Sequence, residues 1–295
     1  MRISNLFKEK ELVFSFEIFP PKVTSPIETI YDTLEGLKDL KPDYISVTYG
    51  AAGSSPGNKI CELSSLIKNK YDIEPLAHLT CINSNKDFIK NILDELKENN
   101  VENILALRGD VLGETKISKD FNNACKLIEY IKKNKGFGIS AACYPEGHIE
   151  SKNLKEDIEV LKVKVESGAE HLISQLFFDN NCFYNFLDKV EQKGLNVPIQ
   201  AGIMPVTNKK QIERIVSLCG SNVPLKFIKI MEKYEHDKEA LRDAGIAYAM
   251  DQIVDLISTG VRGIHLYTMN NPYIARKINE NISSVINSIN RKQVS

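Results

Sequence analysis

The 295-residue chain contains no tryptophan, and its six cysteines, Cys61, Cys81, Cys125, Cys143, Cys182 and Cys219, include no C-x-x-C pair. Such wide, irregular spacing argues against a zinc site or redox couple and for buried reduced thiols. Neither sign of charge is in excess, with 38 Lys and Arg against 39 Asp and Glu, net −1. That balance points to no nucleic-acid partner and no membrane surface. The N-terminal stretch MRISNLFKEKELVF lacks the apolar core of a signal sequence, and no later run is long enough to span a bilayer. A cytoplasmic protein is the expectation.

Several phosphate-binding and catalytic fingerprints are also missing. There is no G-x-x-x-x-G-K-[ST], H-E-x-x-H or G-x-S-x-G. GFGISA (136–141) fits G-x-G-x-x-A but precedes its strand, whereas a dinucleotide fingerprint follows one and opens a helix. A nucleotide cofactor would need a non-Rossmann arrangement.

What is present is an ordinary globular composition, 42% hydrophobic and 26% charged, able to bury a large core. The length suits two domains or one α/β barrel. Eight strand candidates occur: Leu12–Phe19, Tyr44–Thr48, Pro75–Thr80, Asn103–Leu107, Gly138–Cys143, His171–Phe177, Pro198–Ile203 and Gly263–Tyr267. Three-and-four apolar spacing marks helices over Pro26–Leu40, Lys86–Glu98, Asn153–Ser167 and Tyr273–Asn290. Gly168, Gly194 and Gly260 stand where helices should stop. Alternating strand and helix predicts parallel strands, and eight units fit a closed (β/α)₈ TIM barrel, with an open doubly wound sheet as the alternative. Asn208–Thr259 holds room for about three helices between strands seven and eight. No Pro/Gly/Ser-rich linker interrupts the chain, so residues 1–295 read as one domain.

In such a barrel the site lies at the C-terminal strand ends. Those ends carry Glu17 in FSFEIFPPK, Thr48 and Tyr49 in SVTYG, His78 and Thr80 in AHLTC, and Arg108, Gly109 and Asp110 in ALRGD. They continue with Tyr144, Glu146 and His148 in ACYPEGH, Gln175 in ISQLFFD, and the segments GIMPVTN and LYTMNN. Glu17 sits in an apolar alternating run that Pro20 and Pro21 terminate. It is either paired with a buried Lys or Arg, or an acid aimed into a pocket. The LRGD turn either brings backbone to a ligand or is a salt-bridged βα turn. Asp157 and Lys164 lie two turns apart on one helix face, which by itself reads as a solvated surface.

Taken in order, FSFEIFPPK, SVTYGA, AHLTCI, ALRGD, YPEGH and SQLFFD resemble the methylenetetrahydrofolate reductase family, in its bacterial, catalytic-domain-only form, from Phe14 to about Asn271. The resemblance implies a (β/α)₈ barrel that binds FAD and takes electrons from NADH, NADPH or a protein partner. Reduced flavin N5 would then pass hydride to the methylene carbon of 5,10-methylenetetrahydrofolate, giving 5-methyltetrahydrofolate for methionine synthesis. It implies a general acid at Glu17, and at Asp110 a carboxylate near flavin and pterin. It implies flavin contacts at Thr48, His78, Arg108, Gly109, Asp110, Phe121, Ala142, Tyr144, His148, Asp157 and Lys164, and folate contacts at Asp110, Gln175 and Gln211. A homo-oligomer or a complex with an electron-transfer subunit is compatible with it. Two positions depart from the family: Asn271 replaces an arginine that holds the folate tail, and Ile215 a stacking phenylalanine. Other readings are a proline-dehydrogenase-like flavin barrel and a non-catalytic docking subunit. A phosphate-binding aldolase barrel lacks the glycine-rich loop it would need.

Overall fold

The computed structural model describes residues 1–21, 26, 28–49, 56–110 and 118–291, with backbone alone at 56–58, 209, 211, 214, 215 and 218. Eight strands, β1 (Val13–Ile18), β2 (Tyr44–Val47), β3 (Glu74–Thr80), β4 (Asn103–Leu107), β5 (Gly138–Cys143), β6 (His171–Ser174), β7 (Ile199–Ile203) and β8 (Gly263–Tyr267), form a closed barrel in sequence order. All pairings are parallel, including the closing one, where Ser15 faces His265 and Glu17 faces Tyr267. The TIM-barrel expectation is met and the open-sheet alternative is excluded.

Strand alternation explains the closure. In β1, Phe14, Phe16 and Ile18 pack outward in a large core between strands and helices. Val13, Ser15 and Glu17 take the opposite phase and face the barrel interior. Helices α2 (Glu28–Leu37), α4 (Lys86–Glu98), α5 (Ala124–Lys133), α6 (Leu154–Ser167), α7 (Asn180–Gln192) and α11 (Pro272–Arg291) supply the outer layer. α3 (Pro56–Asn69) joins it through Ile60, Leu63 and Ile67. Asn85 and Asn153 cap α4 and α6 by accepting from Phe88 and Glu156 backbone N–H groups. Gly168 caps α6 at φ +130°, while Gly194 and Gly260 follow the ends of α7 and of the helix Lys238–Ser258 at positive φ.

An N-terminal helix, α1 (Ile3–Glu9), was not expected. Its apolar face of Ile3, Leu6 and Phe7 plugs the N-terminal end of the barrel against Val13, Tyr44, Leu76, Leu105 and Ile173. Asn103 Oδ1 accepts from the Ile3 N–H at 2.9 Å, and the Arg262 guanidinium holds the carbonyls of Phe7, Lys10 and Glu11 at the far end.

Between β7 and β8 lie α8 (Lys209–Cys219), α9 (Leu225–Tyr234) and α10 (Lys238–Ser258), the three helices expected there. They enclose a second core of Leu176, Phe178, Val206, Ile212, Phe227, Met231 and Leu241 over the ends of β6 and β7. Among the described residues no helix is long and apolar enough to cross a membrane. The cysteines are free thiols, with Cys61, Cys81, Cys125 and Cys143 buried and Cys182 and Cys219 half-buried.

Candidate active site

The C-terminal strand ends gather most of the polar residues singled out from the sequence. Glu17 ends the inward row of β1 and is 19% exposed, its remaining surface opening on the barrel mouth. Among the described residues, no Lys or Arg pairs with it. Instead Oε2 lies 3.6 Å from Nε2 of His78 on β3 and 3.6 Å from Nε2 of His265 on β8. Burial raises the Glu17 pKa above the usual carboxylate value, opposed by His78 and by a hydrogen bond from Ser46. Burial lowers the histidines to about 4 and about 3, so both are neutral near neutral pH. A carboxyl with a raised pKa between two uncharged imidazoles fits the acid reading; an ion pair would have favoured the carboxylate.

The first turn after β4 has the salt-bridged form of LRGD. Gly109 adopts φ +90°, and a Cβ there would come within 3.2 Å of Thr80 and 3.1 Å of Ile82. The Arg108 guanidinium forms a bidentate pair with Glu150 at 2.5 and 2.7 Å. Asp110 follows on the exposed rim, close enough for its charge to act on Arg108, Tyr144 and Cys219.

Asp157 and Lys164 on α6 do not form a solvated face. They are 6% and 9% exposed and turn toward the barrel. Lys164 Nζ donates to Ala142 O on β5 at 2.8 Å and lies 5.3 Å above the Tyr144 ring. Burial depresses its pKa, partly offset by the Asp157 carboxylate, whose Oδ1 accepts from Ser151 Oγ at 3.1 Å. Tyr144 meets His148 edge-to-face at 4.7 Å. Thr48 follows β2 and donates its N–H to Ile18 O at 3.0 Å. Gln175 follows β6, its Oε1 accepting the Leu176 N–H at 2.9 Å.

Phe121 lies apart from this group: it is 1% exposed and its ring packs edge-to-face on Tyr130 within the strand–helix core. Gln211 falls in α8, but its side chain, like that of Ile215, is outside the described residues. Asn271 accepts at 3.4 Å from the Ile274 N–H and so caps α11. Arg276 is engaged by Gly36 O and Asp39 on the helical layer and does not replace the missing arginine.

The set fits a large, planar, phosphate-bearing cofactor. His78 Nε2 is buried without a hydrogen-bond partner, and a buried lysine and carboxylate wait beside an aromatic ring. Among the described residues no three His, Cys, Asp or Glu side chains form a metal cluster.

Reading strand ends missed the residues one step deeper. Ser15, Ser46, Gln200 and His265 are fully buried inside the barrel, and Tyr267 donates its hydroxyl to Ser174 O at 2.8 Å. The signal was available: Ser15 shares the phase of Glu17, and His265 that of Tyr267, both inward in a layer where branched aliphatics are the norm.

Comparison with known proteins agrees with this architecture. Residues 2–283 match the family model described as methylenetetrahydrofolate reductase. A 5,10-methylenetetrahydrofolate reductase of Escherichia coli (strain K12) is 34% identical over 256 residues, covering 87% of this chain and 86% of that protein. One from Pectobacterium carotovorum is also 34% identical, covering 87% and 85%. Methylenetetrahydrofolate reductase (NADH) 1 of Arabidopsis thaliana is 33% identical over 91% of this chain, which spans only 48% of the plant protein. Among solved structures, an uncharacterized Clostridium thermocellum protein that binds two copies of 5-methyl-5,6,7,8-tetrahydrofolic acid aligns with a TM-score of 0.63 at 13% identity, covering 97% of this chain and 100% of that one, a likeness of fold alone. With the motifs in order, the barrel closed and the family model matched over nearly the whole length, the chain belongs to the methylenetetrahydrofolate reductase family.

Proposed function

We propose that this protein uses FAD to reduce 5,10-methylenetetrahydrofolate to 5-methyltetrahydrofolate in one-carbon metabolism, with Glu17 as general acid. The observation that carries the reading is the desolvated Glu17 carboxyl at the mouth, faced by neutral His78 and His265. The substrate's methylene carbon bridges two nitrogens. A proton on the departing nitrogen opens that ring and leaves an iminium, an electrophile that accepts hydride. A carboxyl whose pKa is raised by burial suits this step, and acid catalysis of the kind contributes about a hundred- to ten-thousand-fold. FAD, when bound, supplies the hydride chemistry.

The chain's own groups supply binding and orientation. Lys164 and Asp157 would hold the phosphate and ribose portion, beside the Tyr144–His148 pair. Arg108 already carries Glu150 and must exchange it, at least in part, to contact an anionic cofactor. Asp110 on the rim places a negative charge that disfavours an anionic reduced flavin and favours the cationic iminium. Gln175 would present its amide to the pterin, and Gln211 is the second folate contact. A protein of similar fold from Clostridium thermocellum binds 5-methyl-5,6,7,8-tetrahydrofolic acid, in keeping with a folate ligand for this barrel.

The test is Glu17→Gln. It is expected to bind FAD and bleach with a donor under anaerobic conditions, yet not to be reoxidised by methylenetetrahydrofolate. Wild-type folate turnover in that variant would overturn the assignment. The same assay with NADH and NADPH in turn identifies a nicotinamide donor, and bleaching by neither directs the search to a protein donor.

A further inference from the structure

Below Glu17 the barrel interior holds a line of buried polar groups that no step above uses. Tyr44 on β2 donates its hydroxyl to Gln200 Oε1 on β7. Gln200 Nε2 lies 3.3 Å from Val13 O, 3.2 Å from Ile264 O and 3.1 Å from Ser15 Oγ. Ser15 Oγ lies 2.7 Å from His265 Nδ1. His265 Nε2 faces Ser46 Oγ at 3.1 Å and Glu17 Oε2 at 3.6 Å. All of these groups except Glu17 are fully buried, so each donor must find an acceptor inside the barrel.

The direction of the chain follows from Gln200. Two backbone carbonyls on one end of its amide can only accept, so that end is the NH₂. The amide oxygen then receives the Tyr44 hydroxyl, and the NH₂, whose two protons are shared among Val13 O, Ile264 O and Ser15 Oγ, offers the Ser15 hydroxyl no acceptor. The Ser15 hydroxyl proton turns to His265 Nδ1, its shortest contact at 2.7 Å, the other acceptors in reach being Ile264 O at 3.5 Å and the Tyr44 hydroxyl oxygen. A neutral imidazole that accepts at Nδ1 carries its proton on Nε2. Gly263 gives Gln200 its place: a Cβ at that position would fall 2.4 Å from Gln200 Cγ. The Tyr44 ring stacks on His265 at 5.8 Å and holds the imidazole plane.

We infer that Gln200 is a positioning residue which, through Ser15, fixes His265 as the Nε2–H tautomer facing Glu17. The consequence is chemical. An N–H on the histidine offers the acid's proton no acceptor on that side, so the proton is left for the substrate nitrogen. Once it is given up, that N–H donates to Ser46 Oγ, whose own hydroxyl proton is left to stabilise the carboxylate that remains. The opposite tautomer would accept the Glu17 proton and hold it inside the barrel. Glu17 is also faced by His78 from β3, Ser46 from β2 and Tyr267 from β8, so His265 is one of several groups that act on it.

This inference rests on Glu17 being the acid, but its first readout does not. Long-range ¹H–¹⁵N spectra of ¹⁵N-histidine-labelled holoenzyme are expected to show His265 protonated at Nε2 and bare at Nδ1. In Gln200→Met, and in the milder Tyr44→Phe, that preference is expected to weaken. Folate reduction should fall about tenfold or more in Gln200→Met, while flavin content and flavin reduction by donor stay at wild-type level. If Gln200→Met does not fold, Tyr44→Phe carries the test, with the same loss of tautomer preference and a smaller fall in folate reduction. An Nδ1–H tautomer in the wild type, or a tautomer and folate rate unmoved in the folded variants, overturns the inference. Failure of the acid reading shows separately, as Glu17→Gln with full folate turnover.

Discussion

At the scale of single residues, burial more than sequence neighbourhood sets the chemistry. Asp157 and Lys164 illustrate this: seven positions apart on α6, they look like a solvent-facing pair until the barrel covers them. A lysine with its charge desolvated and one hydrogen bond, to Ala142 O, retains donors for an anionic ligand. Lys164→Met is expected to keep the fold and weaken FAD binding by about tenfold or more, roughly 1.4 kcal/mol. Fluorescence titration of the apoprotein with FAD checks this, and unchanged affinity would remove Lys164 from the flavin site. The Arg108–Glu150 pair is a different case. Both partners are partly exposed, so the pair is worth little as stability and is readily exchanged for a ligand.

At the scale of elements, periodicity and breakers carried most of the information. The strand β4 and the helix α4 begin and end where alternation and three-and-four spacing place them. The stretch between β7 and β8 was legible as about three helices from its length. What pattern could not supply was why they sit where they do. Gly245 on α10 meets the chain at Val206 so closely that a Cβ would fall 1.8 Å from Val206 O. Gly245→Ala must push α10 away from the end of β7 and loosen the core around Val206 and Leu241. The expected cost is about 1–3 kcal/mol, the range for overpacking, read as a lower urea midpoint. An unchanged midpoint would mean that the contact gives way freely. Helix α1 escaped the sequence reading because seven residues with three apolar positions make a weak periodic signal. Its role as a plug exists only once the barrel end is there to be filled.

At the scale of the whole molecule, the interior of the barrel is unusual in holding neutral histidines. Burial lowers His78 to about 4 and His171 and His265 to about 3. The unfolded chain takes up protons on these side chains as pH falls through about 6.5, whereas the folded chain does not until near 4 or 3. More protons bound in the unfolded state means that stability is lost on acidification across that window and is unaffected above it. Each histidine contributes at most about 1.4 kcal/mol per pH unit there. Glu17 acts in the opposite sense: its raised value means stability that is present at low pH and is lost as pH rises through that value. Three groups against one should prevail, so the urea midpoint is expected to be lower at pH 5 than at pH 7. A midpoint that is flat or rises toward pH 5 would show that these histidines are not kept neutral.

By itself the sequence determined the order and kind of the elements after α1, the parallel pairing of the strands and the ends of them where polar side chains collect. Those properties are local, arising from alternation, helical spacing and the chain breakers between them. It also carried six ordered motifs, enough to place the chain in its family. Only the tertiary structure decided which polar groups share a volume closed to water. Ser15 and His265 stand 250 positions apart and touch because β1 and β8 close the sheet. Phe121 turns into the core, Asn271 caps a helix, and Glu17 finds imidazoles where a lysine or arginine was possible. Desolvation and hydrogen-bond direction depend on everything that surrounds a group in space, and no stretch of chain contains that information.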